Sequence, residues 1–148
     1  MTRLKFCLNA STIMTTPIMR QIEVAAAAGY EAIELWHDHI DTFTSEGGRV
    51  SEIRTAVDDH GLVVPTTIYL AGWFDSQGDE YLANLDECKR RMTDSAMIGA
   101  PHIIAGPPGG SGPVPGMVNS FIHSPIHSFM HSFIHSFINS CILPSVRL

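Results

Sequence analysis

At 148 residues, with 9 Lys+Arg against 15 Asp+Glu and a formal net charge of −6, the chain has room for one ordinary domain and no basic surface for a nucleic-acid backbone. Residues 111–148 hold one charged side chain, Arg147, so residues 1–110 carry −7. No apolar run nears the ~18 residues of a bilayer span, the polar N-terminus has no leader-like apolar stretch, and Cys7, Cys88 and Cys141 lack the spacing of a disulfide framework or zinc ribbon. The expectation is a cytoplasmic, reduced chain with neither a membrane nor a nucleic-acid partner.

Residues 1–106 repeat a unit of about 30 residues, strand then helix. The first strand is Leu4-Lys5-Phe6-Cys7-Leu8, ending at Asn9 and Ser11. A helix follows, with Thr16 as N-cap, Pro17 in its first turn, and Ile18, Ile22, Ala25 and Gly29 on one face. Ala32-Ile33-Glu34-Leu35-Trp36 reads as the second strand, leading into His37-Asp38-His39 as a strand-end loop. Val50, Ile53 and Val57 mark the second helix, stopped at Gly61. The third strand is placed over residues 62–69, although Pro65 cannot donate to a central ladder. Leu82, Leu85, Cys88, Met92 and Ala96 predict the inner stripe of a third helix ended by Gly99 and Pro101, before a fourth strand at Ile103-Ile104-Ala105. Strands and helices alternating at this spacing mean βαβ units and a parallel sheet.

Residues 107–116 read as a Gly/Pro linker, and residues 117–148 as a low-complexity tail, irregular or helical. Phe-Ile-His-Ser recurs there every four residues, a period matching neither helix nor strand. A tandem ATTC unit encodes Ile-His-Ser-Phe in every frame, so translated microsatellite explains the tail. His123, His127, His131 and His135 have the spacing of helical metal ligands, but the repeat accounts for it without selection for metal.

Three stretches carry a resemblance: Leu4-Lys5-Phe6-Cys7-Leu8-Asn9; Ala27-Ala28-Gly29-Tyr30-Glu31-Ala32-Ile33-Glu34-Leu35-Trp36 with His37-Asp38-His39 after it; and Met97-Ile98-Gly99-Ala100-Pro101-His102-Ile103-Ile104. In these, residues 3–110 resemble the N-terminal part of a sugar isomerase/epimerase of the xylose-isomerase-like TIM-barrel superfamily. The resemblance implies an α/β fold, a parallel (β/α) half-barrel with strand order 1-2-3-4, as an incomplete form of the eight-stranded barrel of about 250 residues. It implies an ancestral metal-dependent isomerisation or epimerisation of a small carbohydrate. The family's divalent metal (Mn, Mg, Co or Zn) sits on strands five to eight. No carboxylate follows Asp94, so no metal ligand is assigned, no cofactor is expected in this fragment, and the chain is expected to be inactive as written.

In this fold chemistry sits at the C-terminal strand ends. His37 is then the expected catalytic residue, and Asn9, Ser11, Trp36, Asp38, Tyr69 and Trp73 the substrate-binding set. Glu34, within an apolar run, is either a buried carboxylate or a salt-bridged rim group, since alternation leaves its face undecided. His102, at a strand start, is expected to be structural. Two alternatives remain. A non-enzymatic fragment would self-associate through open sheet edges. An endonuclease IV-like DNA-repair protein would place zinc-binding histidines where this chain has Tyr69-Leu70-Ala71 and Ala105-Gly106-Pro107.

Overall fold

A computed structural model describes residues 4–73 and 76–106. The linker, the repeat tail and its histidines therefore lie outside the described residues. Four strands, β1 (Cys7–Asn9), β2 (Ala32–Trp36), β3 (Thr67–Leu70) and β4 (Ile103–Ala105), form one parallel sheet in the order β1-β2-β3-β4. Four α-helices connect them: α1 (Ile18–Ala27), α2 (His37–Ser45), α3 (Val50–Asp59) and α4 (Gly78–Ile98). This is the expected parallel α/β arrangement of a partial barrel. No described helix is long and apolar enough to cross a membrane.

The core lies between sheet and helices. Ile33 and Leu35 of β2 pack with Ile18, Ile22 and Ala25 of α1, Ile40 of α2, Ile53 and Val57 of α3, and Ile98 at the end of α4. Each of the larger side chains contributes about 1.5–3 kcal/mol on leaving water.

Several boundaries differ from expectation, each for a physical reason. β1 begins at Cys7, because register pairs Cys7 with Ala32, the first residue of β2, although the Phe6 carbonyl still accepts from the Glu31 and Ala32 N–H groups at 3.0 and 3.2 Å. Residues 62–66 are not strand apart from one bridge, Val63 with Ala32; Pro65 supplies no donor, and the ladder resumes at Thr67. Pro17, not Thr16, caps α1, and the Thr16 carbonyl instead accepts from the Gln21 side chain at 2.8 Å. The inward face of α4 is Cys88, Ser95 and Ile98, while Leu82 and Ala96 are exposed. Finally, His37-Asp38-His39 is no loop: α2 starts directly at the end of β2.

Gly99 ends α4 at φ +90°, a left-handed conformation, and a Cβ there would run into the Arg54 guanidinium. Arg54 reaches across from α3 to the Ile98 carbonyl at 3.0 Å, tying the two helices.

Candidate functional site

Register decides what alternation alone could not. Asn9 pairs with Glu34, and the Asn9 side-chain amide donates to Glu34 Oε2 at 2.8 Å. Trp36, two residues along β2, donates its indole N–H to Asn9 Oδ1 at 3.0 Å. The Ser11 backbone N–H donates to the same oxygen at 2.9 Å, in the 3-10 turn Ala10–Ile13 that follows β1. Glu34 and Trp36 are partly exposed, whereas the alternate residues Ile33 and Leu35 are fully buried in the helix-packed core. Trp36, Asn9 and Glu34 thus make one hydrogen-bonded row on the sheet face away from that core, reaching the C-terminal ends of β1 and β2. Cys7, an exposed residue two positions before Asn9, has its thiol pushed above the usual value by desolvation and then by the Glu34 charge, so it stays protonated at neutral pH.

His37 sits on the opposite side. It is fully buried, with Nε2 3.0 Å from Ser95 Oγ of α4 and 3.3 Å from Thr67 Oγ1 of β3, and those two hydroxyls are 2.6 Å apart. Burial, reinforced by the Arg91 charge, lowers its pKa to about 4, so the ring is neutral at physiological pH. Around it runs a charged lattice joining α2 to α4. Arg91 bonds Asp41 at 2.8 Å, Glu87 at 2.9 Å and the Tyr69 carbonyl at 2.8 Å; Arg90 bonds Asp41 at 2.6 Å, Asp94 at 2.7 Å and Glu87. Hydrogen bonds from Arg90, then Arg91, hold Glu87 down at about 2, whereas burial raises Asp94.

The sequence-predicted residues therefore divide. Asn9, Ser11 and Trp36 come together, with Glu34 at their centre. Asp38, 70% exposed, lies on α2 with Arg91 Nη2 3.7 Å away, in the His37 cluster rather than the row. The Tyr69 ring packs close over Gly106, and Trp73 is half-buried beyond the end of β3. His102, at the start of β4, meets the Pro65 carbonyl at 3.2 Å. Sequence reasoning did not single out Arg90, Arg91 or Asp41; the closely spaced arginines and carboxylates of residues 86–94 were the available signal.

His37, Asp41 and Asp94 bring one ligand atom each to within 4.8 Å of one another, the right donor types for a divalent ion. Yet both carboxylates are already neutralised by Arg90 and Arg91. An ion would have to displace two guanidinium groups, and it would then lie on the helix side, away from the row. These residues do not fit a metal that serves that face.

No protein-family profile matches the chain. It is 33% identical over 69 residues to a putative hydroxypyruvate isomerase of Streptomyces coelicolor, a match covering 46% of this chain and 25% of that protein. Among solved structures it matches the IolI protein with a bound zinc atom (TM-score 0.64, 16% identity, 75% of this chain and 40% of that one). It also matches a xylose isomerase domain-containing protein of Salmonella typhimurium (TM-score 0.61, 16% identity, 77% and 40%). The chain has a xylose isomerase-like TIM-barrel fold. D-psicose 3-epimerase, solved in the presence of D-fructose, shares this fold with it at a TM-score of 0.57 and 20% identity, over 75% of this chain and 42% of that one. The chain spans a quarter of its curated relative and about 40% of these solved structures.

Proposed function

We propose that the Asn9–Glu34–Trp36 face belongs to a sugar isomerase/epimerase site and takes a small polyhydroxy or hydroxy-keto substrate. The observation that carries this reading is the hydrogen-bonded row itself, at the strand ends where barrel chemistry resides. Each member has a chemical use. The indole offers an apolar face to the C–H side of a sugar, while its N–H is already oriented by Asn9. Glu34 can accept a substrate hydroxyl in a charge-assisted bond, about twice as strong as a neutral one. It is also the carboxylate on this face that can take up a proton as one moves between adjacent carbons, a role worth roughly 10²- to 10⁴-fold when well positioned. Ser11, Tyr69 and Trp73, at or just beyond the ends of β1 and β3, would complete the rim of this site. In this reading His37 is a buried strut that holds β3 and α4 to the end of β2. A divalent metal in a complete site of this kind polarises the substrate oxygens.

The names of the relatives suggest D-fructose and hydroxypyruvate as test ligands. Calorimetric titration of the full chain should give saturable binding that weakens about tenfold or more in Glu34→Gln and Asn9→Leu, the loss expected for a charged hydrogen bond. Equal affinity in wild type and both variants would overturn the assignment.

A further inference from the structure

Gln21 is a polar residue on the buried stripe of α1, with no exposure at all. Its side-chain amide nitrogen lies 2.8 Å from the Thr16 carbonyl, 3.4 Å from that of Ile13 and 3.0 Å from His39 Nδ1. The other ring nitrogen of His39, Nε2, lies 2.9 Å from the Met14 carbonyl. Carbonyl oxygens only accept, so the Gln21 amide and His39 Nε2–H both donate into residues 13–16. His39 Nδ1 is left to accept from Gln21, which fixes the tautomer. Two side chains, one from α1 and one from α2, thus hold the Thr16 and Met14 carbonyls of one short loop and bond each other, while the Ile13 carbonyl at 3.4 Å shares a Gln21 N–H with one of these partners.

That loop is anchored at its start by the buried Ala10 and at its end by a bond from the Thr16 N–H to the Ile13 carbonyl at 2.9 Å, but its middle is exposed. Ser11, Thr12, Met14 and Thr15 are exposed, and residues 10–17 contain no charged group to make an ion pair. The same segment supplies the Ser11 N–H that orients Asn9 Oδ1, and the Thr12 hydroxyl that donates to the Asn9 carbonyl at 3.0 Å. Asn9 in turn orients both Glu34 and Trp36. We propose that Gln21 and His39 form a clasp that positions the loop after β1, and through it the Asn9–Glu34–Trp36 row. They act as positioning residues, not as groups that touch a ligand. The consequence for sugar binding rests on the function proposed above; the clasp itself does not.

Hydrogen exchange on the full chain, without ligand, tests it. Gln21→Met keeps the volume and removes the donors. His39→Leu removes both of its bonds, whereas His39→Gln keeps an acceptor and a donor side by side, as the imidazole does. Amide exchange across residues 11–16 should accelerate about tenfold or more in Gln21→Met and His39→Leu while the α3 amides hold, and return close to wild type in His39→Gln. The Trp36 indole resonance should shift with the loop. Unchanged exchange in His39→Leu, equal acceleration of every amide, or no recovery in His39→Gln would overturn the clasp. If the loop responds as described and D-fructose nevertheless fails to bind wild type, the function reading fails and the clasp stands.

Discussion

Acidification should unlock the helix layer through His37, and the size of the effect follows from where the ring sits. In the unfolded chain its imidazole titrates at the ordinary 6.5; in the fold, burial between β3 and α4 and the neighbouring Arg91 charge bring it to about 4. The folded value is depressed, so the unfolded state binds the proton first as pH falls. His37 therefore contributes its full stabilisation above about pH 6.5, and this is lost progressively as pH drops towards about 4. The slope is about 1.4 kcal/mol per pH unit, so the whole window amounts to roughly 3 kcal/mol, a large share of the ~5–15 kcal/mol that holds a typical domain. Urea unfolding followed by circular dichroism, at steps between about pH 7 and about pH 4.5, gives the curve. His37→Leu should be less stable at neutral pH, because Ser95 and Thr67 each lose one hydrogen-bond partner, but flatter across this window. Subtracting the two curves removes the other histidines, and the low value of Glu87 keeps its own loss to more acidic pH. Parallel wild-type and variant curves would refute the reasoning.

Three further outcomes follow. Arg91→Ala, which strips bonds from Asp41, Glu87 and the Tyr69 carbonyl, should cost about 1–3 kcal/mol in chemical denaturation, whereas Arg20→Ala, which breaks an exposed pair with Glu23, should cost less than about 1 kcal/mol. Gly99→Ala should lower the melting temperature more than Gly29→Ala: both glycines have positive φ, an alanine strain of about 1–2 kcal/mol, but only at Gly99 must the new methyl also displace Arg54 from the Ile98 carbonyl. The exposed Phe6 beside β1, and Ile104 on β4, should drive self-association at high concentration, which light scattering would detect and Phe6→Lys would reduce.

The sequence yielded the βαβ alternation because buried helix stripes such as Ile18, Ile22 and Ala25, and the apolar run at β2, carry clear periodicity. It hid α2, since His37–Ser45 has only Ile40 and Phe43 as apolar residues and follows β2 without a loop. The strand-end position of the candidate residues was legible, but not the face each occupies. Asn9, Ser11 and Trp36 stand at strand ends, as barrel logic requires. Glu34 and His37, however, are assigned to opposite sides only by long-range partners: Asn9, 25 residues away, for one, and Ser95, 58 residues away, for the other. Such pairings leave no local trace. The carbonyl-gripping role of Gln21 was likewise invisible, because a glutamine on an apolar stripe differs from a surface glutamine only through what surrounds it.

The central claim, that the Asn9–Glu34–Trp36 face receives a small carbohydrate, is tested most directly by following the indole N–H resonances of Trp36 and Trp73 as D-fructose is added to the isotope-labelled full chain. The Trp36 signal should shift saturably and lose that shift in Glu34→Gln, with the amides of Asn9 and Ser11 moving in step. Shifts confined to α2 and α4 around His37 and Arg91, or a Trp36 signal that stays fixed while sugar binds, would contradict it.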